Sequence, residues 1–178
     1  VALLTPRREP LVCSTFQNLA KRYPPPFAQT ERIVVGRSAG WVAGGQTVKD
    51  NLLGRPGYAA RRSCIIPMGV DTELFRPDRA SGEAVRRELG WNAEGPPVIG
   101  YLGRFVPEKG VALLMRVLEQ LRTPWRALFA GGGPMEAELR AWAARHEDRV
   151  RILTGVPHEG VPRVLNAMDV LCGPSQTM

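Results

Sequence analysis

The residues of this chain best suited to chemistry lie in one stretch, VIGYLGRFVPEKG, from Val98 to Gly110. Arg104 and Lys109 stand there between a short apolar run and an amphipathic one. The apolar run reads as a buried strand, Gly100 and Gly103 allow a tight turn at its end, and a helix is expected to start near Gly110. A loop that leaves a parallel strand and enters a helix presents unpaired backbone N–H groups and the positive end of the helix dipole. Two cations added to such a loop suit a doubly charged phosphate group, so the segment reads as a diphosphate-handling loop. On a departing diphosphate, Arg and Lys fill the charge-neutralising role that other enzymes give to Mg²⁺. A plain surface loop with two solvated cations fits the same residues.

The elements around this loop have a clear rhythm. Val98–Gly103, Ala127–Gly131, Val150–Thr154 and Asp169–Gly173 are short apolar runs separated by helical patterns. Val111, Leu114, Leu118 and Leu121 fall on one helical face, as do Met135, Leu139 and Trp142, and then Val161, Leu165 and Met168. Such alternation predicts a parallel sheet covered on both faces, with its strand-to-helix loops gathered at one edge. Ligands of these folds bind at that edge. The first half gives a weaker version of the same pattern, with strands expected at Leu11–Thr15, Trp41–Ala43 and Cys64–Pro67 and helices at Ala28–Val35 and Thr47–Leu53. Pro24, Pro25 and Pro26 predict a stiff extended loop. The Pro/Gly-rich stretch within 76–97 predicts a junction between two lobes, giving the division 1–78, 79–97 and 98–178.

Composition narrows the class. The chain has 178 residues, 44% hydrophobic and 23% charged, enough for one domain or two small ones. No run approaches the roughly 18 apolar residues of a spanning helix, and the first residues lack a signal-peptide layout. Val1 stands where an initiator Met is expected, so the start reads as processed or truncated. Residues 1–78 carry 11 Lys and Arg against 6 Asp and Glu, while residues 79–178 carry 13 against 11. A basic first half suits an anionic substrate or an anionic membrane surface, or reflects nothing beyond an arginine-rich composition. No nucleic-acid partner is expected, since no aromatic ladder or reading motif accompanies the cations. Cys13, Cys64 and Cys172 sit in apolar runs and read as buried thiols of a reducing compartment, which points to the cytoplasm.

Four motifs in order, IIPMGVDTELFRPD (Ile65–Asp78), YLGRFVPEKG (Tyr101–Gly110), LFAGGGP (Leu128–Pro134) and NAMDVLCGPS (Asn166–Ser175), resemble those of retaining glycosyltransferases of the GT-B fold. FQNLAKRYPPPF and SAGWVAGGQTV resemble the later part of the same family's first lobe. The resemblance implies an α/β protein of two Rossmann-like doubly wound lobes, both incomplete here: the end of an acceptor lobe, a junction, and the first half of a donor-binding lobe. It implies no tightly bound cofactor and no metal, with a UDP- or GDP-linked sugar as donor. The acceptor would be a lipid-linked, saccharide or small-molecule hydroxyl, reached from the cytoplasm at the inner face of the plasma membrane. By resemblance, Arg104 and Lys109 hold the donor diphosphate, Gly103 lets the backbone approach the donor, and the main chain of Val156 meets the nucleobase. Leu165 lies near the base-packing wall, or is plain core. Gly131, Gly132 and Gly133 shape the cleft, or make an ordinary turn. Ser175 opens the segment leading to the donor sugar.

Two departures stand out. The family's spaced pair of glutamates follows the PS motif, and the sequence stops at Met178 before reaching it, so the chain reads as a fragment expected to be inactive alone. The family often has a His where Gln17 stands, and Gln cannot exchange a proton near neutral pH. Gln17 is a candidate donor or acceptor contact, or a strand-end cap. His158, just after Val156, is a candidate edge contact to the base, whereas His146 reads as a solvated helix-end residue. A non-catalytic nucleotide-sugar binding module or pseudoenzyme fits the same motifs.

Overall fold

The alternating pattern folds into parallel α/β structure in the computed structural model, which describes residues 12–15, 24–92 and 94–176. The chain divides into two units, one ending at Val70 and the other starting at Asp71. Residues 79–97, expected as a junction, therefore fall inside the second unit. They begin with a helix whose first turn is capped by Asp78, its carboxylate accepting from the Ser81 N–H at 3.0 Å. Of the Pro and Gly residues that suggested a linker, Pro77 precedes the helix cap, and Gly95, Pro96 and Pro97 precede the strand that starts at Val98. Gly82 is buried within the helix, where a Cβ would strike the Asn166 carbonyl.

The first unit holds β1 (Val12–Thr15), α1 (Phe27–Arg37), β2 (Gly40–Ala43), α2 (Gln46–Leu53) and β3 (Arg62–Ile65), with the strands parallel in the order β1-β2-β3. Its core gathers Val35, Trp41, Ala43, Val48, Leu52 and Tyr58. Trp41 meets Tyr58 edge-on and donates its indole N–H to the Tyr58 carbonyl at 3.0 Å. Two expectations fail here. Pro24–Pro26 form a turn rather than an extended arm, and the carbonyls of Pro24 and Pro26 accept the first N–H groups of α1. Cys64 is exposed on β3, and Cys172, further on, is only half-buried; an apolar neighbourhood in sequence does not say which face of a strand a residue takes. The side chain of Cys13 lies outside the described residues.

The second unit comprises α3 (Arg79–Glu88), β4 (Val98–Arg104), α4 (Val111–Gln120), β5 (Arg126–Gly132), α5 (Glu136–Ala143), β6 (Val150–Leu153), α6 (Val161–Asn166) and β7 (Val170–Leu171). Its parallel sheet runs β6-β5-β4-β7, so the chain adds strands on one side of β4 and then crosses to the other. That reversal is a topological switch point. Alternate residues of the central strands bury on opposite faces. Tyr101, Ala127 and Phe129 join Val111, Leu114, Leu118, Leu139 and Trp142 beneath α4 and α5. Val98, Leu128 and Ala130 join Val85, Trp91, Val164 and Ala167 beneath α3 and α6. The expected α6 stripe shifts: Pro162 and Val164 are buried, while Val161, Leu165 and Met168 are half-buried. Leu121 lies past the end of α4 and is exposed.

Candidate active site

The carboxyl edge of β4 is where the charged loop and the switch point coincide. Gly103 and Arg104 end the strand, opposite Gly131 and Gly132 of β5. A single 3-10 turn, Pro107–Lys109, leads through Gly110 into α4. Gly110 has φ +71°, a left-handed conformation that costs an L-residue about 1 kcal/mol. A Cβ there would also collide with the Pro174 carbonyl, so glycine lets the loop after β7 close onto the start of α4. Gly131 is required in the same way: its φ is +151°, and a Cβ would strike the Gly103 carbonyl. No side chain caps α4, which leaves its first N–H groups and its positive dipole end at this edge.

Arg104 and Lys109 both leave this loop. Arg104 is 70% exposed, with a long ion pair to Glu108 at 3.6 Å. Lys109 is half-buried and has no carboxylate within ion-pair distance among the described residues. Tyr101 steadies the loop from beneath, its phenol donating to the Arg104 carbonyl at 2.7 Å. Burial raises the Tyr101 pKa above its ordinary value, with Arg104 opposing and Glu108 adding to the shift, so the donor keeps its proton. Ser175 is exposed on the loop after β7, and its neighbour Gln176 donates its backbone N–H to the Glu108 carbonyl at 2.9 Å. Arg104, Lys109, Gly103 and Ser175 thus occupy the two loops that flank the switch point.

The remaining candidates disperse. Val156 turns its side chain into the core beneath α6, which leaves its main chain on the β6–α6 loop. His158 is exposed on the same loop, its ring 5.4 Å from that of Phe75. Leu165 lines a groove on α6 with Phe75, Arg76, Pro77 and Asn166. Gln17 lies outside the described residues. His146 is packed, with ring centroids 4.9 Å from Trp142 and 5.9 Å from Trp125. Among the described residues no cluster of His, Cys, Asp and Glu has metal-site geometry.

Sequence reasoning missed one residue that braces the site and two that anchor the elements carrying it. Glu108 touches both switch-point loops, through its carboxylate to Arg104 and its carbonyl to Gln176. Asn166 accepts from the Asp78 N–H at 2.8 Å and donates to the carbonyls of Arg76 and Pro162, tying the start of the second unit to α6. Asp169 accepts from the Val98 N–H at 2.7 Å and pairs with Arg86 at 2.9 Å, anchoring the first residue of β4. Asn166 and Asp169 stand together in NAMD, a signal that marked the segment without naming the partners.

A doubly wound sheet with glycine-lined, cationic loops at its switch point defines a Rossmann-like unit of the GT-B type. The chain belongs to the glycosyl transferases group 1 family, whose model matches residues 83–177. It is 30% identical over 156 residues to a 2-deoxystreptamine glucosyltransferase of Streptomyces kanamyceticus, covering 85% of this chain and 40% of that protein. It is 35% identical over 117 residues to a GDP-mannose-dependent phosphatidylinositol monomannoside mannosyltransferase of Mycolicibacterium smegmatis, covering 63% and 30%. The fold matches that of Anabaena HepE, solved in complex with UDP, at a TM-score of 0.77 and 21% identity, over 96% of this chain and 48% of HepE. The chain therefore spans about half or less of the length of these proteins.

Proposed function

We propose that this chain is part of an enzyme that moves a hexose from a nucleoside diphosphate sugar to an acceptor hydroxyl, with retention and without a metal ion. The carrying observation is the coincidence of Arg104, Lys109 and the uncapped end of α4 at the switch point of the second unit. As the bond from the sugar to the diphosphate lengthens, negative charge grows on the phosphate oxygens. A guanidinium, an ammonium and oriented backbone N–H groups stabilise that charge more in the transition state than in the ground state. Gly103 lets the backbone approach the donor, the Val156 main chain and His158 meet the base, Leu165 stands by it, and Ser175 leads toward the sugar.

The first unit is the acceptor side in this reading, and Gln17 is its contact residue. Its α1 exposes Phe27 and Ile33, at 66% and 50%, beside Arg32. That suits peripheral association with an anionic membrane surface, and the reading carries forward a lipid-linked, saccharide or small-molecule acceptor met on the cytoplasmic side. Both UDP and GDP are carried forward as donor nucleotides, since proteins similar to this chain include a UDP-bound structure and a GDP-mannose-dependent enzyme. Titration calorimetry of the chain with UDP and GDP, paired with a transfer assay on the whole protein, tests the proposal. Saturable binding with transfer supports it. Binding without transfer makes the protein a nucleotide-sugar binding module, and absence of both refutes the site.

A further inference from the structure

We propose that the amino-terminal edge of the second unit's sheet carries a separate anion-binding cleft for a phosphate-bearing ligand, built by Arg122, Arg126 and Arg149 around Trp125. The cleft, of about 430 Å³, is lined by residues at or just before the starts of β4, β5 and β6, among them Pro96, Arg126 and Arg149. Because the strands are parallel, this edge lies the length of β4 from Arg104, about 20 Å at ~3.3 Å per residue. No ligand group held by Arg104 and Lys109 reaches it, so it does not depend on the donor reading.

Its charges are unbalanced, and two of its three guanidiniums are held in place. Three guanidiniums and one carboxylate, Asp148, line the cleft. Asp148 pairs at 3.4 Å with Arg149, while Arg122 and Arg126 have no carboxylate within ion-pair distance among the described residues. Arg149 lies over the Trp125 ring at 5.2 Å and Arg126 over Trp91 at 5.5 Å. Arg126 also donates to the Asn92 carbonyl at 2.8 Å. Gly95 makes the room for it, since a Cβ at that position would collide with the Arg126 guanidinium. Burial, then the like charges of Arg86 and Arg151, lower the proton affinity of Arg126. Guanidiniums pre-set on aromatic faces keep their N–H edges for a ligand and lose little rotamer freedom on binding. Several forks around one cleft match a multiply charged phosphate better than a single carboxylate.

The test begins from the Arg104→Ala/Lys109→Ala chain, in which the donor loop is disabled, titrated with inorganic pyrophosphate by calorimetry. The expected result is retained, saturable binding that weakens about tenfold or more when Arg122→Gln and Arg149→Gln are added, as for loss of a charge-assisted hydrogen bond. Gly95→Ala, which displaces Arg126 without changing net charge, should weaken binding comparably. Sedimentation with phosphatidylcholine vesicles, with and without phosphatidylglycerol, separates the sources. Phosphatidylglycerol-dependent binding that the arginine variants lose assigns a lipid headgroup, and pyrophosphate binding alone assigns a soluble phosphate compound. The proposal is overturned if neither probe binds the donor-loop variant, or if Gly95→Ala binds as tightly as its parent, which would reduce the effect to net charge.

Discussion

Arg104→Ala should separate stability from function. The side chain is 70% exposed and its pair with Glu108 spans 3.6 Å, too long for a hydrogen bond. Exposed i,i+4 pairs contribute about 0.3–0.5 kcal/mol, so the unfolding midpoint in urea should scarcely move. The backbone of residue 104 keeps its pairing with Gly132 and its hydrogen bond from Tyr101. Against that small loss stands a charge-assisted contact to phosphate, worth roughly 1.5–3 kcal/mol in binding. UDP affinity of the chain should therefore fall about ten- to hundredfold. In the whole enzyme the deficit should grow toward ~3–4 kcal/mol in transition-state stabilisation, as for removal of an oxyanion donor. Calorimetry with UDP and urea unfolding on the same preparations check both halves. Unchanged UDP binding would refute the assignment of the loop, and a large drop in the unfolding midpoint would show that Arg104 is structural.

Gly110→Ala should destabilise the second unit by more than the ~1 kcal/mol of a left-handed alanine, because the Pro174 carbonyl must also move; urea unfolding measures it. Leu139→Ala, at a fully buried position on the inner face of α5, should cost ~3–5 kcal/mol in the same assay. For Asp169, burial raises the pKa, but the Val98 N–H and Arg86 more than compensate, so the net shift is downward. A depressed folded-state pKa gives stability that is present above the unfolded carboxylate range and is lost as pH falls through the folded value. Stability should therefore decline below about pH 4, and Asp169→Asn should flatten that part of the profile; urea midpoints across pH record it.

The order of strands and helices in the second unit was legible in the sequence because both faces of its sheet are buried, which writes continuous apolar runs between amphipathic stretches. The charged loop was legible for the same reason: Gly103, Arg104, Lys109 and Gly110 follow such a run directly. The first unit read less clearly, since its strands have four residues each and one of them, β3, turns Cys64 outward. The unit boundary was misplaced because Pro77, Gly82 and Pro96 give the same composition before, within and after a capped helix as they would in a linker.

By itself the amino-acid sequence determined the α/β class, the family and the cationic loop, all of which depend on residues close together along the chain. Only the tertiary structure decided that β7 crosses to the far side of β4, that the Pro174 loop closes on Gly110, that Glu108 joins the two switch-point loops, and that Asn166 and Asp169 fasten residues 76–78 and the start of β4 to the α6–β7 segment. Those are contacts between residues dozens of positions apart, set by strand order and close packing. Hydrophobic periodicity specifies which face a residue buries, and carries no information about which distant backbone it meets there.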